Sequence, residues 1–182
     1  RGFSVKINGY FYMCPANLAP RDLDITYRSK AVLMKSRDLK RWEVVADLSQ
    51  YRNLRLNGLN PTRADLMYDR TRKGIYILLE LWDNRNRKYF ALYKASNIED
   101  PSSWRLIAGP SKEIYGGVPW LARNPETDRL EAWFEYRPGN TRDYVIAYME
   151  IDEDKGIFSE PIIRYDVRES GWHIPNPAVI YG

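Results

Sequence analysis

Asp65 stands at the head of a short apolar stretch, D-L-M-Y, with two polar neighbours, Asn60 and Arg63, just ahead of it. A carboxylate in that setting is either a turn-capping side chain at a strand entry or a group held out to meet a polar ligand or a proton. Glu80 and Glu135 sit inside longer aromatic runs. A buried carboxylate there needs a partner, and the neighbouring basic residues can supply one. Other chemistries are disfavoured by what the chain lacks. One cysteine, Cys14, and one histidine, His173, leave no intrachain disulfide and no histidine metal cluster, and they argue against a Cys–His nucleophile pair. No zinc-ligand spacing, P-loop or G-x-G-x-x-G occurs. No cofactor is expected. A metal would have to be bound through oxygen, as Ca²⁺ is, and no loop carries a signature for one.

The composition is that of a globular domain, 44% hydrophobic and 29% charged. The formal charge of +4 is spread out: Arg21, Arg28, Lys35, Arg37, Lys40 and Arg41 are interleaved with acids. That pattern describes solvated strand faces rather than a nucleic-acid groove. No apolar run approaches the roughly 18 residues of a membrane helix, so no membrane span is expected. Fourteen tyrosines and six tryptophans pack strands, and they are also the pool from which sugar-stacking sites draw.

The elements that must position these residues come from a repeat. Ala64 to Leu81, Lys88 to Ser96 and Ser103 to Ala108 match Val118 to Glu135, Asp143 to Glu150 and Phe158 to Arg164. Tyr76 pairs with Leu130 and Tyr93 with Tyr148 in this alignment, a period of about 54 residues, which signals a propeller or array. Each copy reads as four strands: a short apolar first strand (Asp65 to Tyr68; Val118 to Ala122), a long aromatic second strand, then a third and a fourth. Turn formers such as Lys73-Gly74, Asp83-Asn84 and Arg137-Pro138-Gly139-Asn140 separate them. Four-stranded meanders at this spacing are the blades of an all-β propeller.

Three blades are expected within one domain: 1–52, 53–110 and 111–170, with 171–182 as the inner strand of a further or the first blade. The first copy matches from strand two onward (Asn8 to Cys14, Ala31 to Ser36, Arg41 to Ala46), and His173 to Gly182 looks like a strand one with nothing after it. Either the C-terminal strand completes the first blade and three blades close directly, or the chain is a fragment of a five-bladed ring. The start at Arg1, without Met or a signal-like segment, fits a processed form or a fragment. Between strands two and three of the first copy, Pro15 to Lys30 form an insertion carrying Arg21, Asp22, Asp24, Tyr27 and Arg28. Long loops in compact folds are often functional, though this one can equally cover a sheet edge.

Three segments carry a resemblance. Ser36-Arg37-Asp38-Leu39-Lys40-Arg41-Trp42 has S-x-D-L-x-x-W spacing; Ser96-Asn97-Ile98 through Asp100-Pro101-Ser102-Ser103-Trp104 is a longer version; Gly156-Ile157-Phe158-Ser159-Glu160-Pro161 is a G-x-W-S-x-P variant. This strand-three-to-four corner resembles that of the five-bladed propeller glycoside hydrolases of families 43 and 32, with sialidases as looser neighbours. The resemblance implies carboxylates on the innermost strands, facing the axis: an Asp base, a second Asp that tunes pKa, and a Glu acid. Such hydrolysis places two carboxylates across the scissile bond, one of them protonated.

Position by position, Asp65-Leu66-Met67-Tyr68-Asp69 is similar to the second-Asp strand, and makes Asp65 the candidate axis-facing carboxylate. Asn176-Pro177-Ala178-Val179 is similar to the base strand, but an amide cannot accept the base's proton. Gly116-Gly117-Val118-Pro119 falls where the acid's strand belongs, with Glu113 several residues early. The catalytic candidates are therefore Asp65, Asp24 and Glu113, with Asp22 beside them. Arg63, Trp120, His173, Asn176 and Arg21 are candidates for contacting the sugar. Trp120 is either a stacking platform or blade packing, and His173 either a hydroxyl partner or a loop residue. A sialidase-like site would need an arginine cluster such as Arg21, Arg63 and Arg123. The function expected is hydrolysis or recognition of a glycan at the axial pocket. The alternative is a non-catalytic propeller that binds glycan or protein. Action on polysaccharide would imply secretion or the periplasm.

Overall fold

The computed structural model describes residues 4–15, 31–139 and 144–165. Among these the fold is all-β, with three antiparallel sheets whose strand order follows chain order. The first sheet holds β1 (Val5–Ile7), β2 (Tyr10–Met13), β3 (Val32–Ser36) and β4 (Glu43–Asp47). The second holds β5 (Asn60–Asp69), β6 (Gly74–Trp82), β7 (Lys88–Ala95) and β8 (Arg105–Ala108). The third holds β9 (Gly116–Arg123), β10 (Leu130–Tyr136), β11 (Val145–Asp152) and β12 (Ile157–Phe158), and β13 (Ile162–Tyr165) also pairs with β11. These are three propeller blades in series. β1 and β2 meet β5, and β5 and β6 meet β9. Among the described residues the array is not closed.

The blades stack because the middle one is apolar on both faces. Along β6, Ile75, Ile77, Leu79 and Leu81 join Leu33, Ala46, Leu48 and Tyr93 in the cluster between the first two blades. Tyr76 and Leu78 join Phe90, Leu121, Leu130, Ala132, Phe134 and Met149 between the second and third. A strand buried on both sides reads as an unbroken apolar run rather than an alternation. Phe90 and Phe134 meet edge-to-face, centroids 5.2 Å apart, a geometry worth about 0.5–1.5 kcal/mol beyond burial.

The same contacts correct the repeat alignment. Tyr76 faces the third blade, whereas Leu130 faces the second. In blade terms one points forward and the other back, so Leu130 is the counterpart of Ile75. Tyr93 likewise faces the first blade, while Tyr148 lies on the far side of the third, stacked on Trp133 at 4.8 Å. A one-residue slip reverses every side chain of a strand, and with both faces buried the sequence offers no polar face to prevent it.

Three other expectations change. The first blade has its own first strand: β1 pairs Val5 with Tyr12 and Ile7 with Tyr10, across an Asn8-Gly9 turn with φ of 49° and 84°. That is the two-residue hairpin an Asn-Gly pair favours. The inner strands of the second and third blades are longer than their apolar stretches. Pro61 and Pro119 are tolerated in them because these are edge strands with one side unpaired. The fourth strand of the third blade is split into β12 and β13 around Pro161. His173 to Gly182 lie outside the described residues, as does nearly all of the Pro15 to Lys30 insertion.

The corner motifs act as turns. Asp38 Oδ1 accepts the Lys40 and Arg41 N–H groups at 2.9 Å, and the Trp42 indole donates to the Leu39 carbonyl. In the second blade Asp100 accepts Ser102 N–H, and the Trp104 indole donates to Asn97 O at 3.0 Å. The C-terminal ends of the inner strands are tied by an ionic clamp. Arg123 of β9 donates to Asp69 of β5 at 2.5 Å and to Glu153 at 3.1 Å. Arg72 reaches Glu153 at 3.3 Å from the second blade, and the Arg123 guanidinium also lies over the Tyr76 ring. With Arg123 10% and Asp69 4% exposed, removing the arginine would strand a buried carboxylate. Arg123→Leu is expected to cost about 3 kcal/mol, read as a lowered urea midpoint. A loss under about 0.5 kcal/mol, the scale of a surface pair, would contradict the clamp.

Candidate functional site

The inner strands β5 and β9 run side by side, each the edge of its sheet, so each leaves backbone N–H groups without a ladder partner. Blade two supplies acceptors for two of them. Asp65 Oδ2 accepts the Leu121 N–H at 2.8 Å. Glu80 Oε2 accepts the Val118 N–H at 2.9 Å. The two carboxylates are set by neighbouring registers, since Asp65 pairs with Leu78 and Arg63 with Glu80 on the β5–β6 ladder.

Their surroundings differ. Glu80 is fully buried. Its Oε1 accepts the Trp82 indole N–H at 2.6 Å and the Thr62 hydroxyl at 3.4 Å, and Arg63 stands 3.9 Å from Oε2. The backbone bends to meet it. A Cβ on Gly117 would lie 2.7 Å from Glu80 Oε2. Val118 adopts φ +57°, a left-handed conformation rare for a β-branched residue. Glu80 is thus the structural partner that the sequence favoured, and Arg63 faces it.

Asp65 has fewer donors and keeps part of its surface. Burial pushes its carboxyl up to about 7, against the backbone N–H groups of Leu121 and Leu66, which favour the charged form. Cys14 is buried close by. Burial first, and the Asp65 charge second, push its thiol well above the ordinary range, so it stays protonated and is no nucleophile.

The other candidates are scattered. Trp120 belongs to the far face of the third blade with Ala122, Trp133, Ile146 and Tyr148, the side opposite Leu121 and the Asp65 contact. Glu113 lies in the loop before β9, 4.0 Å from Arg87, at the end where the inner strands begin. Arg63 and Arg123 sit near opposite ends of their strands, each on a different carboxylate, and do not form a cluster. Arg21, Asp22, Asp24, His173 and Asn176 lie outside the described residues. Among the described residues no group of three or more His, Cys, Asp or Glu is placed to hold a metal ion, and no helix is long and apolar enough to cross a membrane. The Glu80 cradle escapes sequence reasoning because its key donor is 38 residues away.

No protein-family model matches the chain, and no curated protein matches it. Solved structures do. An endo-arabinase from Bacteroides thetaiotaomicron VPI-5482 superposes with a TM-score of 0.64 at 13% identity, over 92% of this chain and 56% of that one. A thermostable family-43 glycoside hydrolase gives 0.62 at 13% identity, over 89% and 51%. A xylan β-1,4-xylosidase from Bacillus halodurans C-125 gives 0.56 at 19% identity, over 88% and 30%. The chain thus spans about half the length of the first two. At these identities the likeness shows the fold, that of the family-43 propeller domain.

Two outcomes test this geometry. A carboxyl whose folded pKa lies above its unfolded value near 3.9 binds its proton more tightly when folded. Its stabilisation is therefore full at low pH and is lost as pH rises through about 4 to 7, by at most ~1.4 kcal/mol per pH unit. Asp38, Asp69, Asp83, Glu99 and Asp152 are shifted down, so their contribution is complete above about pH 5 and does not mask this window. The wild type is expected to have a lower urea midpoint at pH 8 than at pH 5, and Asp65→Asn a smaller difference; equal differences would refute the raised pKa. Gly117→Ala is expected to cost about 1–3 kcal/mol by crowding Glu80, and an unchanged midpoint would contradict the cradle.

Proposed function

We propose that the chain is part of a carbohydrate-active propeller that takes a glycan at the open end of its inner strands and hydrolyses a glycosidic bond. The observation that carries this reading is Asp65: a carboxyl on an inner strand, oriented by the Leu121 N–H at 2.8 Å and pushed by burial to about 7. Strongly shifted acids in such places are characteristic of catalytic sites. The family-43 likeness of the fold supports the substrate class by analogy only.

In the proposed reaction one carboxyl protonates the leaving oxygen as the anomeric C–O bond breaks. Water then adds to the anomeric carbon: either directly, giving its proton to a second carboxylate, or after that carboxylate has formed a covalent intermediate, giving its proton to the first carboxylate as the second is released. Asp65 supplies one carboxyl of the site, as proton carrier or as the group that holds another's pKa. Asp24 is the candidate for the other; Glu113 lies apart from Asp65, beside Arg87 in the loop before β9. Glu80 acts through position alone, since its oxygens are sealed by Trp82, Thr62 and Val118.

A second reading, a non-catalytic propeller that binds glycan or protein, is favoured by Asn176, an amide where the resemblance calls for a base. One experiment separates the two. With a panel of aryl glycosides, Asp65→Asn is expected to lower kcat by roughly 10²-fold or more. Unchanged turnover in an active preparation would remove Asp65 from the mechanism. Binding on a glycan array with no product by chromatography would support the second reading.

A further inference from the structure

A recess of about 250 Å³ opens beside the inner strands, lined by Arg87, Lys88, Glu113, Tyr115, Arg137 and Tyr144 among others. It lies at the end where the inner strands begin, between the β6–β7 hairpin and the start of β9. Arg137 follows the last residue of β10, and its backbone N–H donates to Tyr115 O at 2.6 Å. Its guanidinium lies 4.5 Å from the Tyr144 ring centroid. Its Nε is buried and has no hydrogen-bond partner.

The neighbouring cations have acceptors. Arg87 Nε donates to Asp83 at 2.6 Å, with Glu113 4.0 Å from its Nη1. Lys88 Nζ donates to the Gly116 carbonyl at 2.6 Å. Arg137 makes no ion pair among the described residues. A guanidinium is all donor, and a buried donor left unmet is costly. Among the described residues that line the recess, three cations stand against one carboxylate, Glu113. The site asks for an acceptor with negative charge and a flat, two-oxygen end, which is what the guanidinium fork matches. Tyr115, 59% exposed, adds an aromatic face at the rim, the surface on which a sugar ring packs.

We infer that this recess binds the carboxylate of an acidic sugar, with Arg137 as the reader of the charge. This rests on the glycan reading above and narrows it: the glycan carries a uronic acid residue as well as the one processed near Asp65. Arg137 is a specificity residue and touches no reacting atom.

The test follows the arginine Nε–H resonances of the full chain by NMR during titration with glucuronate, its methyl ester and acetate. Glucuronate is expected to shift the Arg137 resonance saturably. The ester, which keeps the ring and loses the charge, is expected to bind roughly tenfold more weakly or worse. Acetate, which keeps the charge and loses the ring, is expected to bind more weakly than glucuronate. Arg137→Gln should abolish the preference for acid over ester, and Arg137→Lys should retain only part of it, as a point charge without the fork.

Equal affinity for acid and ester, no saturable shift up to roughly 50 mM (above the millimolar range of weak sites), or an intact preference in Arg137→Gln would overturn the proposal. Acetate binding as well as glucuronate would reduce the site to one for a bare anion and overturn the sugar assignment. Asp65→Asn is expected to leave the glucuronate response unchanged. Loss of glycoside turnover in that variant, with no glucuronate response in the wild type, would sink the acidic subsite and leave the hydrolase reading standing. A glucuronate response in a protein that neither binds nor cleaves any neutral glycan would sink the hydrolase reading instead.

Discussion

The arrangement of the candidate site depends on one constraint: the inner strand of the third blade is a sheet edge, and its outward N–H groups need acceptors. No further strand of its own sheet lies beside them. The second blade answers with side chains, Glu80 to Val118 and Asp65 to Leu121. Edge strands with unmet backbone groups are a liability, and buried ones are costly. Here two carboxylates convert that cost into a fixed position of one blade against the next. The apolar layer of Phe90, Phe134, Leu78 and Leu121 supplies the attraction, but it is non-directional. The two hydrogen bonds and the Arg123–Asp69 clamp at the C-terminal ends of the inner strands supply the registry.

The same hydrogen-bonding task leaves the two acids in different chemical states. Glu80 is surrounded by donors and sealed, so it is bound to its structural role. Asp65 has two backbone donors, and desolvation outweighs them. Its carboxyl is thereby brought to the range in which it can hold or release a proton at neutral pH. A site of this kind arises at little extra structural cost, because the group is required for packing whether or not it does chemistry. The cationic recess at Arg137 lies where the inner strands begin, and Asp65 stands further along them, against Leu121.

Much of the architecture is legible in the residues. The four-strand repeat, the corner turns at Asp38 and Asp100, and the strands around Ile75, Lys88, Leu130 and Val145 all follow from local pattern. What is not legible has physical causes. Register is ambiguous on β6 because both faces are buried, and alternation is the only local mark of a face. The first strand of the first blade is short and polar, and only its Asn8-Gly9 turn announces it. Pro61 and Pro119 disguise the length of the inner strands. Asp65 can be picked out by its setting, but its hydrogen bond to a residue 56 positions away cannot. Trp120 illustrates the limit from the other side: its aromatic type suits a sugar platform, whereas its face is fixed by β9 pairing and turns it into the far cluster. The buried orphan nitrogen of Arg137 has no sequence signal at all.

The measurement that bears most directly on this account is the titration of the Asp65 carboxyl itself, followed through its ¹³Cγ chemical shift between pH 3 and 9. A midpoint near 7 is predicted from its burial, with a further displacement when a bound oligosaccharide covers the open end of the inner strands. A midpoint near 4, the ordinary value for an aspartate in water, unchanged by any oligosaccharide, would show a solvated carboxylate and contradict the central claim.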